Sequence, residues 1–276
     1  MTTGVSQLKK IAEGREAEMF EWEDDKVLRL YREGQGSGAG YQARLLEMAS
    51  ACGVRVPESY GVVELGGRTG IVMERIAGPD LLAEVGAKPW HLLHVGGIWG
   101  RTQADINSRQ APMELEPTRV RFQRIIERSP HIAGDFKEAA LKQIGSLPDS
   151  NRLLHGDCHP ANLMRHGEEF VVIDWSNVSR GPAEADFYRS YLMCTLGDLP
   201  PGTPWLIRNF ARFGRRILRG GFVRSYRRVS KPDPAVVDAW KLPVVVARIA
   251  EGIEAEFPAL ERMARQLIGD KDAARP

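Results

Sequence analysis

The segment LLHGDCHPANLM, residues 153–164, gathers His155, Asp157, Cys158, His159 and Asn162 into one short stretch. Such residue types serve three chemistries: a metal site, a cysteine nucleophile or phosphoryl transfer. A zinc pair at His155 and His159 needs a helix to bring ligands four apart onto one face. Gly156 and Pro160 predict a loop instead, and the glutamate of H-E-x-x-H is missing, so neighbouring Cys158 and His166 do not rescue the motif. Cys158 with His155 or His159 as its base is weakly supported, because nucleophile and base usually come from distant segments. Spacing favours the third chemistry. Asp157 is followed five residues later by Asn162, and then by Asp174 at the end of the strand-like run EFVVID. Phosphoryl transfer needs one carboxylate to orient or deprotonate the attacking hydroxyl. It also needs an amide oxygen and a second carboxylate to hold magnesium on the phosphates.

These groups need elements to hold them. AEMFEWEDDKVLRLYRE reads as a hairpin around the turn-prone EDD. EGQGSGAG follows, but its glycines at 34, 36, 38 and 40 miss G-x-G-x-x-G, since the third glycine falls on Ala39 or Tyr41. It reads as a flexible connector. YQARLLEMASACG has a helical period, with Leu45, Leu46 and Ala49 on one face and Gly53 as C-cap. YGVVEL and TGIVMERI read as two strands around Gly66 and Gly67. After AGPDL the pattern is helical through 89–107, 118–128 and 134–145, is interrupted by RLLHGD and EFVVIDW, and is helical again from 184. The expected fold class is α+β. A small β-rich lobe, 1–76, precedes a larger, mostly helical lobe, 77–276, which carries the 153–164 loop and the acceptor site; a hinge lies near 74–80.

The 276 residues are 43% hydrophobic and 27% charged, close to soluble globular averages. A net charge of +2 gives no push toward nucleic acid or membrane, so neither is expected as a partner. Three scattered cysteines without a C-x-x-C pair fit a reducing compartment. MTTGVSQLKKIAEG has no signal-peptide core, and no run approaches the roughly 18 apolar residues of a membrane span. A soluble, cytoplasmic protein is the expectation.

Protein-kinase catalytic loops place their Asp and Asn at this same five-residue separation, and their second Asp follows on a strand end. HGDCHPANLM…VVIDWSNVSRGPAEAD resembles the signature of the aminoglycoside phosphotransferase/choline kinase family, small-molecule kinases with a protein-kinase-like fold. The resemblance extends over most of the chain through GREAEMFEW, IVMERIAGPDL and WKLPVVVARIAEGI. It implies a protein-kinase-like two-lobe fold, ATP or GTP as co-substrate, and Mg2+. It implies Asp157 as the catalytic base, Asn162 and Asp174 as magnesium ligands, and Asp186 as a brace for the catalytic loop. His155 reads as a buried loop residue; His159 either neutralises charge on the transferred phosphoryl or is structural. Met73 is expected at the back of an adenine pocket, Glu74 to Ile76 at the purine edge, and Val27 on the ring. The loop around Gly14–Ala17 is expected over the phosphates.

The chain departs from the family at one ion pair. The phosphate-holding lysine of the third strand is replaced by Arg29, and its helical glutamate partner by Gln42; alternation places Lys26 on the opposite strand face, and Glu47 lies off the helical one. Arginine keeps its charge without a partner and can grip phosphate with two donors, with Gln42 orienting it. Two readings follow: a small-molecule kinase acting on a hydroxyl, or a non-catalytic nucleotide- or ligand-binding relative. Residues 208–231 hold nine Arg/Lys and no Asp or Glu; Arg208, Arg212, Arg215 and Arg219 recur at helical spacing opposite Phe210, Phe213 and Ile217. That pattern reads as a solvated basic face. Were it to reach the acceptor, a neutral or anionic hydroxyl compound would be favoured over a polycation.

Overall fold

Large apolar residues at every second position drive the beginning of the chain into strands. The computed structural model describes residues 5–14, 16–196 and 205–273. These include β1 (Lys10–Glu13), β2 (Ala17–Glu21), β3 (Lys26–Tyr31), α1 (Ala39–Ala51), β4 (Ser59–Leu65) and β5 (Arg68–Glu74). The five strands form one antiparallel sheet in the order β1-β2-β3-β5-β4. In β3, Leu28 and Leu30 are fully buried against Phe20, Leu65 and Val72 on one face. On the other, Tyr31 packs with Ala17, Ile71 and α1 residues Ala39 and Ala43. Alternation therefore puts Val27, Arg29 and Tyr31 on the α1 side. β1 was not legible in advance: it is a short, exposed edge strand with no apolar stripe.

The glycine-rich connector is less loose than its composition suggests. Gly36–Gly38 forms a 3-10 turn leading into α1, and a Cβ on Gly36 would lie 2.6 Å from the Thr69 side chain. At the other end of α1, Gly53 takes φ +78 after Cys52, the left-handed stop expected of it.

The chain divides into two compact units, residues 1–81 with 161–176, and residues 82–160 with 177–276. The short hairpin β7 (Leu163–His166) and β8 (Glu169–Val172) thus packs with the first unit, although the sequence boundary at 76/77 assigns it to the second region. Backbone links hold it there: the Asp80–Met164 bridge, with Arg165 N–H donating to Pro79 O at 2.9 Å, and Val172 N–H donating to Arg55 O at 3.3 Å. Gly78 permits this approach, since a Cβ there would sit 2.0 Å from the Arg165 carbonyl oxygen.

The second unit contains α3 (Leu92–Ser108), α4 (Thr118–Arg128), α5 (Gly134–Ser146), α6 (Ala183–Leu196), α7 (Trp205–Val229), α8 (Pro234–Ile249) and α9 (Phe257–Ala273), preceded by α2 (Leu81–Ala87) at the unit boundary. A two-stranded ladder joins β6 (Arg152–Leu154) to β9 (Ser179–Gly181). One apolar core gathers Trp240, Leu242 and Val244–Val246 of α8 with Phe122, Phe136, Tyr188 and Leu260. Asp233 caps α8, its carboxylate accepting from Ala235 N–H at 2.8 Å with Pro234 at the first turn.

Helices α3 and α7 approach backbone to backbone. A Cβ on Gly96 or Gly100 would lie 2.3 Å from the carbonyl of Leu218 or Phe222. The buried face of α7 is Leu218, Phe222, Ser225 and Tyr226, and Phe222 stacks on Trp99 with ring centroids 4.1 Å apart. Phe213 is 62% exposed, so the apolar face is not the one the arginine spacing suggested. Arg219 leaves the solvated stripe to cover Tyr191 at 5.1 Å and to donate to the Thr195 hydroxyl. The side chains of Arg208 and Phe210 lie outside the described residues. No helix among the described residues is long and apolar enough to cross a membrane.

Candidate active site

Within the second unit, Asp157 sits on a loop held from below by one buried carboxylate. Asp186, 3% exposed near the start of α6, accepts from His155 N–H at 3.1 Å and Gly156 N–H at 2.9 Å. Asn107 of α3 donates to the same carboxylate at 2.9 Å and to Leu153 O at 3.0 Å, and Tyr226 of α7 donates to Asn107 at 3.0 Å. Gly156 takes φ +77 with its α-carbon against Asn177, where a Cβ would meet the carbonyl oxygen at 2.4 Å. His155 is fully buried and its Nδ1 accepts the Asp157 N–H at 3.1 Å. Cys158 is fully buried too; burial pushes its thiol pKa well up, which suits packing and not nucleophilic attack. Its carbonyl accepts from Trp99 Nε1–H at 3.0 Å and from the Ser190 hydroxyl at 2.9 Å.

Asp157 itself is left with a 22% exposed side chain, flanked by His159 Nε2 at 3.7 Å and an Arg189 nitrogen at 3.9 Å. Burial alone would raise its pKa. The neighbouring His159 ring and the positive charge of Arg189 outweigh that and lower it to about 2. The group is a carboxylate across the physiological range.

Within the first unit, Arg29, Asn162 and Asp174 come together. Asp174 has a left-handed backbone, φ +59, which aspartate tolerates better than most residues. Its carboxylate accepts from the Ser176 hydroxyl at 2.8 Å and lies 3.5 Å from the Arg29 guanidinium. Asn162, 9% exposed, is tied to the same strand end by Ile173 N–H donating to its carbonyl at 2.9 Å. These are hard oxygen donors, few in number, a set that suits magnesium completed by phosphate and water. Gln42 makes no side-chain hydrogen bond among the described residues, so Arg29 is aligned by Asp174 and the Tyr31 ring, 5.5 Å away, and not by Gln42.

Val27 and Met73 face each other across β3 and β5, Val27 buried and Met73 partly so. Glu74 N–H is satisfied by Glu58 O at 2.9 Å and Arg75 N–H by Asp25 O at 2.8 Å, whereas the Ile76 N–H has no acceptor among the described residues. The Glu74 side chain is engaged by Arg55, which holds its carboxyl below the usual range despite partial burial. Gly14 N–H closes the β1–β2 turn on Ala17 O at 2.8 Å; Arg15 of that turn lies outside the described residues. Sequence reasoning missed Asn107, Trp99 and Arg189. Asn107 carried a faint signal as an amide within an apolar helical face, and Arg189 as a cation one helical turn beyond Asp186.

Solved structures of other proteins share this fold. The solved structure of an aminoglycoside-3'-phosphotransferase of type VIII shares 14% identity and a TM-score of 0.60 over 88% of this chain and 90% of that one. Choline kinase from Cryptosporidium parvum Iowa II shares 12% identity and a TM-score of 0.53 over 96% and 89%. The ADP-bound aminoglycoside phosphotransferase APH(2'')-Ib shares 13% and 0.52 over 94% and 91%. These likenesses establish the protein-kinase-like fold. No curated protein matches the chain in sequence. The model of the phosphotransferase enzyme family, however, matches residues 7–240, most of the length, and by that match the chain belongs to the phosphotransferase enzyme family.

Proposed function

We propose that the protein moves the γ-phosphoryl group of ATP, or GTP, to a hydroxyl of a small molecule in a magnesium-dependent reaction. The observation that carries the reading is the state of Asp157: an ionised carboxylate, mostly buried, on a loop whose backbone is fixed by Asp186. With a pKa of about 2 it is a weak base. It therefore orients the acceptor hydroxyl for in-line attack, and takes the proton late, as the loose transition state gives way to product. His159, 3.7 Å from that carboxylate, adds positive charge beside the transferred group when protonated.

Asn162 and Asp174 would hold the magnesium, which when bound offsets charge on the phosphates. Arg29, 3.5 Å from Asp174, supplies the phosphate clamp from β3, its planar fork standing in for the absent lysine–glutamate pair. Val27 and Met73 offer apolar surface to the base, and the Ile76 N–H offers a donor to its edge. Two structural neighbours are recorded with ADP, in line with a nucleotide co-substrate.

The Arg189 guanidinium beside Asp157 favours a neutral or anionic acceptor over a polycation. The exposed arginines of α7 do not enter this argument, since Arg212, Arg216, Arg224, Arg227 and Arg228 lie away from its buried Phe222–Tyr226 face. The deciding experiment is calorimetric titration of ATP and GTP with and without Mg2+. Magnesium-dependent binding is expected, and Asp174→Ala should remove that dependence. Absence of binding for both nucleotides overturns the reading in favour of a ligand-binding relative without nucleotide chemistry.

A further inference from the structure

One charged group beside Asp157 comes from outside its loop and is more deeply buried than Asp157 itself. Arg189 stands three residues after Asp186 on α6, on the same helical face, with its side chain only 8% exposed. Its Nε–H donates to the Gly156 carbonyl. One of its terminal nitrogens is 3.9 Å from Asp157 Oδ1 and 2.6 Å from Glu251 Oε1. A single planar fork thus touches the residue before the base, the base and a second carboxylate. Glu251 sits on the turn after α8, where Gly252 takes φ +72. It is held in turn by Arg248 at 2.6 Å, and Arg248 makes paired bonds to Glu256 at 2.7 and 2.8 Å. Charges alternate along this row from Asp157 to Glu256. Its last three members lie beyond residue 240, where the family match ends.

We propose that Arg189 is a positioning residue for Asp157, and that Glu251 sets where Arg189 stands. The inference rests on the phosphotransfer reading of Asp157. A buried guanidinium needs its charge and donors met. Glu251 takes the closer contact, so Arg189 fixes the Asp157 carboxylate from 3.9 Å without capping the oxygens that an acceptor hydroxyl must reach. Without Glu251, Arg189 swings onto Asp157 and blocks it. Without Arg189, Asp157 loses its alignment on the loop. The α8–α9 turn is therefore part of the catalytic apparatus although it touches no reacting atom.

The test separates turnover from nucleotide binding and adds a readout independent of activity. Arg189→Met should lower kcat about 100-fold, the scale of roughly 1 Å of misplacement, with nucleotide Kd within about twofold. Arg189→Lys should recover part of the loss, and Glu251→Gln should lower kcat about tenfold with Kd unchanged. Crystal structures should show Asp157 displaced in Arg189→Met and contacted directly by Arg189 in Glu251→Gln. Wild-type kcat with an unmoved Asp157, or parallel loss of kcat and nucleotide affinity, overturns the proposal. If Arg189→Met does not fold, Glu251→Gln decides: unchanged kcat with Arg189 in place overturns it. If the wild type neither binds nucleotide nor turns over, the phosphotransfer reading fails, and the position of Asp157 in the variant crystals still decides the role of Arg189.

Discussion

Asp157 and Asp174 are both aspartates expected to act on the same phosphoryl group, yet they are held in opposite ways. The Asp157 loop is fixed by buried hydrogen bonds from His155 and Gly156 to Asp186, and that carboxylate is bound by Asn107, which Tyr226 also reaches. Asp174 has a 41% exposed side chain on a left-handed backbone, with Ser176 at 2.8 Å and Arg29 at 3.5 Å as its partners. The group proposed to meet a hydroxyl in one geometry is preorganised, as catalysis by positioning requires. The group proposed to bind metal is held by a cation that arriving phosphates would compete for.

Breaking the rigid side should have the largest effect. Asp157→Ala should lower turnover about a thousandfold while nucleotide affinity, measured by calorimetry, stays close to wild type. A parallel loss of affinity without loss of fold would contradict the assignment. Next comes the brace. Asp186→Ala leaves the His155 and Gly156 N–H groups unpaired in the interior and should cost about 3 kcal/mol in denaturant unfolding; a cost below about 0.5 kcal/mol would show that the loop holds itself.

A pH experiment sharpens the comparison further. The folded pKa of Asp157 lies below the ordinary carboxylate value, so its ionised form adds stability that is present above about pH 4 and lost as pH falls toward 2. Asp157→Asn should therefore cost at most about 2 kcal/mol at pH 7, the difference closing below pH 4. A gap that stays constant across this range would contradict the depressed pKa. The smallest effect belongs to the looser side. Arg29→Met should weaken magnesium–ATP binding about tenfold, and Arg29→Lys combined with Gln42→Glu should restore it. Unchanged affinity in Arg29→Met would remove Arg29 from phosphate binding.

Much of this was legible because it depends on local order. The Asp157–Asn162–Asp174 spacing, the β2–β3 and β4–β5 hairpins and the α1 stop at Gly53 each follow from a few adjacent residues. Strand alternation likewise placed Arg29 and Val27 on one face of β3. The basic stripe of α7 misled for a related reason. Periodicity finds an apolar face, but Phe213 was counted in it while the actual seam of Leu218, Phe222 and Tyr226 depends on glycines of another helix.

The sequence by itself determined which groups are candidates for phosphoryl transfer, because residue types and their intervals along the loop are properties of the chain. Only the tertiary structure decided what surrounds them. The hairpin at 163–172 packs with the first unit because Gly78 admits the Arg165 carbonyl. Arg29 faces Asp174 and not Gln42 because β3 meets that strand end in space. Arg189, Arg248 and Glu251 form one row because α6 and the α8 turn converge behind Asp157, 32 to 94 residues away along the chain. Electrostatic partners act through distance in space, and that distance is set by packing between elements that no local pattern records.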